Sequence, residues 1–146
     1  VFGYGGNDTL VGGNDLDVLV GGLGKDLLTG NLGTDYFSYS SIRDSGITAA
    51  TRDVIMDFQQ GVDKIDIELI DANTANGSTT NEDFVFIGTN LLGGSTGTPG
   101  ELRAYWTLGG QIIEADVNGD RKADFSIKLD DPLHSKVLTK SDFYQV

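Results

Sequence analysis

No cysteine occurs among the 146 residues, and proline (two), histidine (one), tryptophan (one) and methionine (one) are scarce. Without cysteine there is no disulfide framework and no thiolate nucleophile. A single histidine cannot supply an H-E-x-x-H zinc helix, so these residues hold no metalloprotease centre of that kind. No apolar run approaches the ~18 residues of a membrane-crossing helix, and the N-terminus has no basic-then-apolar leader. Cationic residues are few as well: ten Lys and Arg face 22 Asp and Glu, a formal net charge of −12. That sign excludes nucleic acid and membrane insertion as expected partners and makes a cation the natural one.

What is abundant is glycine, 21 residues, concentrated in four nine-residue units covering 3–11, 12–20, 21–29 and 30–38. Asp8, Asp17, Asp26 and Asp35 stand at the sixth position of the units, and Leu10, Leu19, Leu28 and Phe37 at the eighth. Six glycine-rich residues accept positive φ and bend tightly, whereas three residues around an apolar centre suit a short strand with its middle side chain turned inward. Each unit is thus predicted to be half a coil of a flattened parallel solenoid. Loops of units one and three would stack on one edge and those of units two and four on the other.

Stacking sets carboxylates and unobstructed carbonyls of successive coils side by side. Calcium, which takes six to eight oxygens in tolerant geometry, suits such an edge. The candidate ligands are Asp8, Asp17, Asp26 and Asp35, with the backbone of Gly5, Gly12, Gly13, Gly21, Gly22, Gly24 and Gly33. The nonapeptide resembles the repeat of calcium-binding RTX proteins. Unit three matches it fully. Tyr4 replaces the second glycine of unit one, Asp15 the third of unit two and Asn31 the second of unit four, so sites touching units one and four are expected to be less regular. Val1 falls on the apolar eighth position of a further unit, and the array is expected to continue upstream.

Beyond Tyr39 the period stops. The aromatic-Ser segment Tyr39-Ser40, the pair Asp44-Ser45 and the stretch Asp53-Val54-Ile55-Met56-Asp57-Phe58-Gln59-Gln60-Gly61-Val62-Asp63-Lys64-Ile65-Asp66 resemble the C-terminal domain of serralysin-type secreted metalloproteases. So do Gly100-Glu101-Leu102-Arg103, Asp116-Val117-Asn118-Gly119-Asp120 with Ala123-Asp124-Phe125, and the end Asp142-Phe143-Tyr144-Gln145-Val146. The resemblance implies calcium-driven folding outside the cell. It also implies an uncleaved C-terminal signal read by Gram-negative type I secretion machinery, and a parent whose catalysis lies elsewhere. A polysaccharide-binding repeat module, as in the alginate (mannuronan C5-) epimerases, is a second reading, and the end piece of a large adhesin a third. Against the second, the ten Lys and Arg form no dense cluster in sequence.

The expected fold is all-β: a parallel β-roll over 1–40, then an antiparallel, β-sandwich-like cap over 41–146. Phe84, Phe86 and Leu91, then Leu102, Ala104 and Trp106, then Phe125, Ile127 and Leu129 alternate as half-buried strands do. Asp44 and Asp53, just past the last unit, stand where the final loops lack a following coil. They are either further calcium ligands or solvated loop acids. Asp116 to Asp124 carries acids at the first, fifth and ninth places of an EF-hand-like loop, but Arg121 and Ile127 stand where that loop needs Gly and Glu. A hairpin turn through Asn118-Gly119 and an irregular calcium site both remain open. Gly93-Gly94-Ser95-Thr96-Gly97 matches a nucleophile-elbow pattern, but Thr98-Pro99-Gly100 cannot open the helix that an elbow needs. No catalytic residue is therefore expected in this chain.

Overall fold

The structure, a computed structural model, describes residues 1–89, 94–131 and 133–144. Leu91, Gly93, Gln145 and Val146 lie outside the described residues. Eleven strands and one 3-10 turn (Lys140–Asp142) make up the regular structure, with no α-helix among the described residues.

The nine-residue units fold as their period predicts. β1 (Thr9–Val11), β2 (Val18–Leu19), β3 (Leu27–Thr29) and β4 (Tyr36–Ser38) are the apolar-centred triplets. β1 pairs with β3 and β2 with β4, all parallel. Leu10 lies beside Leu28, and Leu19 beside Phe37. Each is buried while its strand neighbours are more exposed, which is the alternation of a strand with one wet face.

The parallel stack does not break at residue 40. β5 (Asp53–Ile55) pairs parallel with β3, and β6 (Lys64–Asp66) with β4, so a third coil covers the two built by the nonapeptides. Ile55 continues the inward column of Leu10 and Leu28, and Ile65 continues that of Leu19 and Phe37. The second column ends at Phe143 of β11 (Phe143–Tyr144), a short parallel strand on β6.

The C-terminal half extends the roll rather than standing apart from it. β7 (Val85–Thr89), β8 (Glu101–Thr107), β9 (Gly110–Asp116) and β10 (Phe125–Asp130) are added to β5 through a parallel β10 pairing. The result is a seven-stranded mixed sheet, β1-β3-β5-β10-β9-β8-β7, with a four-stranded sheet β11-β6-β4-β2. β9 is antiparallel to both of its neighbours, β8 and β10, whereas β7 runs parallel to β8. One core cluster unites residues of both sheets, from Leu10 to Phe143. At its centre the buried Tyr39 ring meets Phe125 edge-on, with centroids 5.2 Å apart, tying the end of the last nonapeptide to the cap.

Candidate metal centre

The parallel register turns the aspartates of the repeats into two ladders. On one edge Asp26 Oδ1 accepts the Asp8 N–H at 2.8 Å, and Asp53 Oδ1 accepts the Asp26 N–H at 2.8 Å. On the other, Asp35 Oδ1 accepts the Asp17 N–H at 3.0 Å, and Asp63 Oδ1 accepts the Asp35 N–H at 3.1 Å. Each carboxylate thus spends one oxygen on the coil before it. Oδ2 of Asp26, Asp35 and Asp53, and likewise that of Asp8, is out of solvent contact with no hydrogen-bond partner. A buried acceptor left unpaired costs ~1–3 kcal/mol, and more when it carries charge.

The first glycine of each unit makes room for these oxygens. A Cβ at Gly3 would come within 2.8 Å of Asp8 Oδ2, and Cβ atoms at Gly21 and Gly30 would run into Asp26 Oδ2 and Asp35 Oδ2. Gly12 stands in the same relation to Asp17, whose Oδ2 instead accepts the Gly13 N–H at 2.5 Å. Further round the loops, Gly22, Gly24 and Gly33 take φ of 91°, 136° and 133°, and a Cβ on them would strike the carbonyls of Tyr4, Gly6 and Asp15. Gly5 bridges to Leu23, and the Gly13 carbonyl accepts the Leu32 N–H at 3.3 Å. Carbonyls of one coil are therefore packed against the glycine backbone two units on. Tyr4 and Asn31, at the second glycine position of their units, both adopt φ of 70°. Asn tolerates that region better than Tyr, so the irregularity falls harder on unit one.

Burial raises the pKa of Asp26, Asp35, Asp53 and Asp63, and neighbouring carboxylates add to it. Asp53 is pushed furthest, from 3.8 to about 7. It has no solvent exposure, and Asp26 and Asp44 add their charges. Its Oδ2 and the Tyr39 hydroxyl are both buried without a well-formed hydrogen bond, yet near enough to perturb each other's ionisation. Asp44 sits with this group, its Oδ2 held by the Ser40 and Ser41 N–H groups at 2.8 and 2.9 Å. One edge thus gathers Asp8, Asp26, Asp53 and Asp44, and the other Asp17, Asp35 and Asp63.

Two acids absent from the expected set belong here. Asp57 accepts the N–H groups of Gly30 and Asn31 at 2.9 and 2.8 Å, capping the unit-four loop where no further nonapeptide follows. Asp63 closes its ladder, since its Oδ2 accepts the Gln59 N–H at 2.7 Å. Gly3 and Gly30 were legible from the period, because they occupy the same place as Gly12 and Gly21. Asp57 and Asp63 carried no periodic signal.

A hard cation fits the orphaned oxygens. They are anionic, dry and beside packed carbonyls, which is the donor set calcium prefers. Among the described residues no three acidic or histidine side chains converge into one compact cluster. A calcium ion here would draw on neighbouring rungs and on the backbone.

The Asp116–Asp124 loop is built differently. Asp116 accepts the N–H groups of Gly119 and Arg121 at 2.6 and 2.9 Å, and Asp124 accepts those of Val117 and the Asn118 side chain at 2.9 and 3.0 Å. Arg121 supplies by strain, at φ 70°, the left-handed residue that glycine would supply freely. The first β9–β10 pair is Ala115 with Phe125, so the nine residues between form a wide hairpin loop rather than a tight Asn-Gly turn. Ser95 lies between Glu101 and Asp116, its Oγ 2.7 and 2.6 Å from their carboxylates. His134 Nε2 is instead 2.8 Å from the Thr107 carbonyl. Glu101 and Thr107 are the two ends of β8, roughly 20 Å apart at ~3.3 Å per residue, so Ser95 and His134 are not brought together.

The profile of the family described as the Peptidase M10 serralysin C terminal matches residues 1–143. The chain belongs to that family. No curated protein matches it in sequence. Among solved structures, a subunit of the mannuronan C5-epimerase of Azotobacter vinelandii, determined in solution, has a TM-score of 0.57. It is 20% identical, and the match covers 97% of this chain and 79% of that one. At that identity the likeness is one of fold. The serralysin C-terminal domain described here is thus a calcium-binding RTX domain, a β-roll carrying an antiparallel extension.

Proposed function

We propose that this domain is non-catalytic, that its roll folds on calcium after export from the cell, and that it accompanies a secreted serralysin-like metalloprotease. The observation that carries this reading is the set of four buried, unpartnered carboxylate oxygens on Asp8, Asp26, Asp35 and Asp53. Without an ion, these stacked charges oppose folding of the coils that bury them. With one, the same charges become ligands. Sites of extracellular type bind at ~10⁻⁴ to 10⁻³ M, so millimolar calcium outside a cell fills them and sub-micromolar calcium inside does not. At ten times its dissociation constant each ion adds about 1.4 kcal/mol, and coils stacked on one another gain together. A chain still unfolded in the cytoplasm suits a type I exporter, and the Asp142-Phe143-Tyr144 end is the segment we assign to the export signal.

The test is a calcium titration followed by circular dichroism. Asp26 lies in the unmodified unit and has an orphaned oxygen, whereas both oxygens of Asp124 are satisfied, by the Val117 N–H and the Asn118 side-chain amide. Asp26→Ala is expected to raise the calcium needed for folding more than Asp124→Ala does. A full β-roll signal in excess chelator would refute the coupling. Polysaccharide binding, the second reading, draws support from the fold shared with the epimerase subunit, and calcium-coupled folding is compatible with either parent.

A further inference from the structure

Two Asn-Gly pairs lie in loops, Asn76-Gly77 between β6 and β7 and Asn118-Gly119 between β9 and β10, and both asparagines are exposed. Asparagine before glycine can lose its side-chain amide without an enzyme, because no Cβ shields the nitrogen that follows. That nitrogen attacks Cγ, a C–N bond forms as the bond from Cγ to Nδ2 breaks, and ammonia leaves. Water then opens the cyclic imide to aspartate or isoaspartate. The reaction needs a Gly N–H free to give up its proton, and room for the chain to turn Cγ toward it.

The two pairs are alike in everything but those two conditions. Gly77 and Gly119 have φ of 68° and 77°. Each asparagine Oδ1 accepts the N–H two residues on, from Ser78 at 2.7 Å and from Asp120 at 2.8 Å, a donor that steadies the charge gathering on Oδ1 during attack. Each Nδ2 donates to a carboxylate, that of Glu82 at 3.1 Å and that of Asp124 at 3.0 Å. The Gly119 N–H, however, is tied to Asp116 Oδ1 at 2.6 Å, and a Cβ there would come within 2.9 Å of the Gly97 carbonyl and the Pro99 ring. Among the described residues the Gly77 N–H meets no acceptor, and a Cβ on Gly77 would find nothing within 4 Å.

We propose that Asn76 is a self-modification site, converting to aspartate or isoaspartate in the folded domain, and that the fold holds Asn118 back from the same reaction. The conversion acts on the loop that carries it. Asn76 supplies Glu82 Oε1 with a donor, while Glu82 Oε2 is buried with no partner. A carboxylate in place of the amide removes that donor and sets two negative charges face to face. The loop is otherwise closed by the Ala72 N–H on the Glu82 carbonyl at 3.3 Å. It is anchored to the end of β9 by Thr74, whose N–H and hydroxyl both donate to the Val117 carbonyl, at 2.9 and 3.1 Å. Conversion therefore opens the tip of the 72–82 loop and leaves the aspartate ladders untouched. Since the lost ammonia does not return, the open fraction records the age of the chain.

The experiment is peptide mapping by mass spectrometry of the whole chain, incubated folded in millimolar calcium and, as reference, unfolded in urea, where both pairs are equally free. In the folded chain Asn76 is expected to convert at least about tenfold faster than Asn118, the factor that one hydrogen bond to a charged acceptor imposes. Asp116→Ala frees the Gly119 N–H and should raise conversion of Asn118 about tenfold, with circular dichroism reporting the fold. Asp116→Asn, which keeps a weaker acceptor, serves should the first variant fail to fold, with a smaller rise in the same direction. Asn76→Asp places the carboxylate without the chemistry, and should make cleavage after Glu82 by a glutamate-specific protease about fivefold faster, since such cleavage tracks the open population. Conversion of Asn118 as fast as Asn76, no conversion of either in the folded chain, Asp116 variants without effect on Asn118, or unchanged cleavage at Glu82 would overturn the proposal.

Discussion

Replacing Asp53 by Asn separates a metal ligand from a merely structural acid, because the two roles predict opposite signs in calcium-free buffer. Asn keeps the Oδ1 that accepts the Asp26 N–H at 2.8 Å but cannot carry the charge that Oδ2 buries without a partner. A pKa moved from 3.8 to about 7 corresponds to an ionisation cost on the order of 4 kcal/mol at neutral pH, an upper figure since the calcium-free roll can relax and admit water. The folded state holds its proton more tightly than the unfolded chain. This group's contribution is therefore fully present below about pH 4 and is lost as pH rises through about 7. In calcium-free buffer at pH 7, Asp53→Asn should accordingly be more stable than the parent by about 1–4 kcal/mol, and its stability should fall less steeply between pH 4 and 7. In millimolar calcium the order should reverse, since the ion relieves the parent's buried charge and adds up to ~1.4 kcal/mol at ten times its dissociation constant, while the variant lacks the charged donor. Urea denaturation followed by circular dichroism across that pH range, with and without calcium, measures both. If Asp53→Asn lowers stability equally under the two conditions, Asp53 is a structural rung and not a ligand.

Gly24 has φ 136° and a site where a Cβ would fall on the Gly6 carbonyl, so Gly24→Ala should cost about 1–3 kcal/mol and raise the calcium midpoint. An unchanged midpoint would show that the loop has room that the parallel stack denies it. Binding should itself be proton-linked: Asp26, Asp35, Asp53 and Asp63 all hold protons above the ordinary carboxylate range, so the calcium needed for folding should rise as pH falls from 7 to 5. A pH-independent midpoint would remove these acids from the site. Deleting residues 142–146 should stop secretion of a fused passenger through a compatible type I exporter. It should also loosen the folded domain, because Asp142 Oδ1 accepts the Gly61 N–H at 2.9 Å and Phe143 packs on Phe86 with centroids 5.0 Å apart. Normal secretion by a destabilised deletion would separate the export role from the structural one.

Local physics explains which features were legible beforehand. Glycine, aspartate and one apolar residue in strict register specify a turn, a rung and an inward side chain within nine residues, and each half-coil needs only its neighbour two units away. The strand triplets, their parallel pairing and the Asp8–Asp26 and Asp17–Asp35 rungs follow from that short-range order, with partners 18 residues apart. The alternation of Leu102 with Ala104, and of Phe125 with Ile127 and Leu129, likewise marked strands before any pairing was known.

The third coil was hidden because its rungs join residues 27 and 28 positions apart, Asp26 with Asp53 and Asp35 with Asp63. Asp53 and Ile55 of β5 still fall in the nine-residue frame, but the unit around them has no glycine to announce a turn, and β6 is one residue out of the frame, so the repeat was not legible there although the stacking is intact. β9 is buried on both faces and offers no alternation to read. The charge pattern was decided last of all. Only packing of the 39–52 loop and β10 against the roll collects Lys25, Arg43, Arg52 and Lys128 on one track, and only burial under a following coil turns ordinary aspartates into dry, unpartnered ones. Residue type and spacing set the repeat by themselves; which carboxylates lost their water, and which cations came together, depended on long-range stacking that sequence distance does not encode.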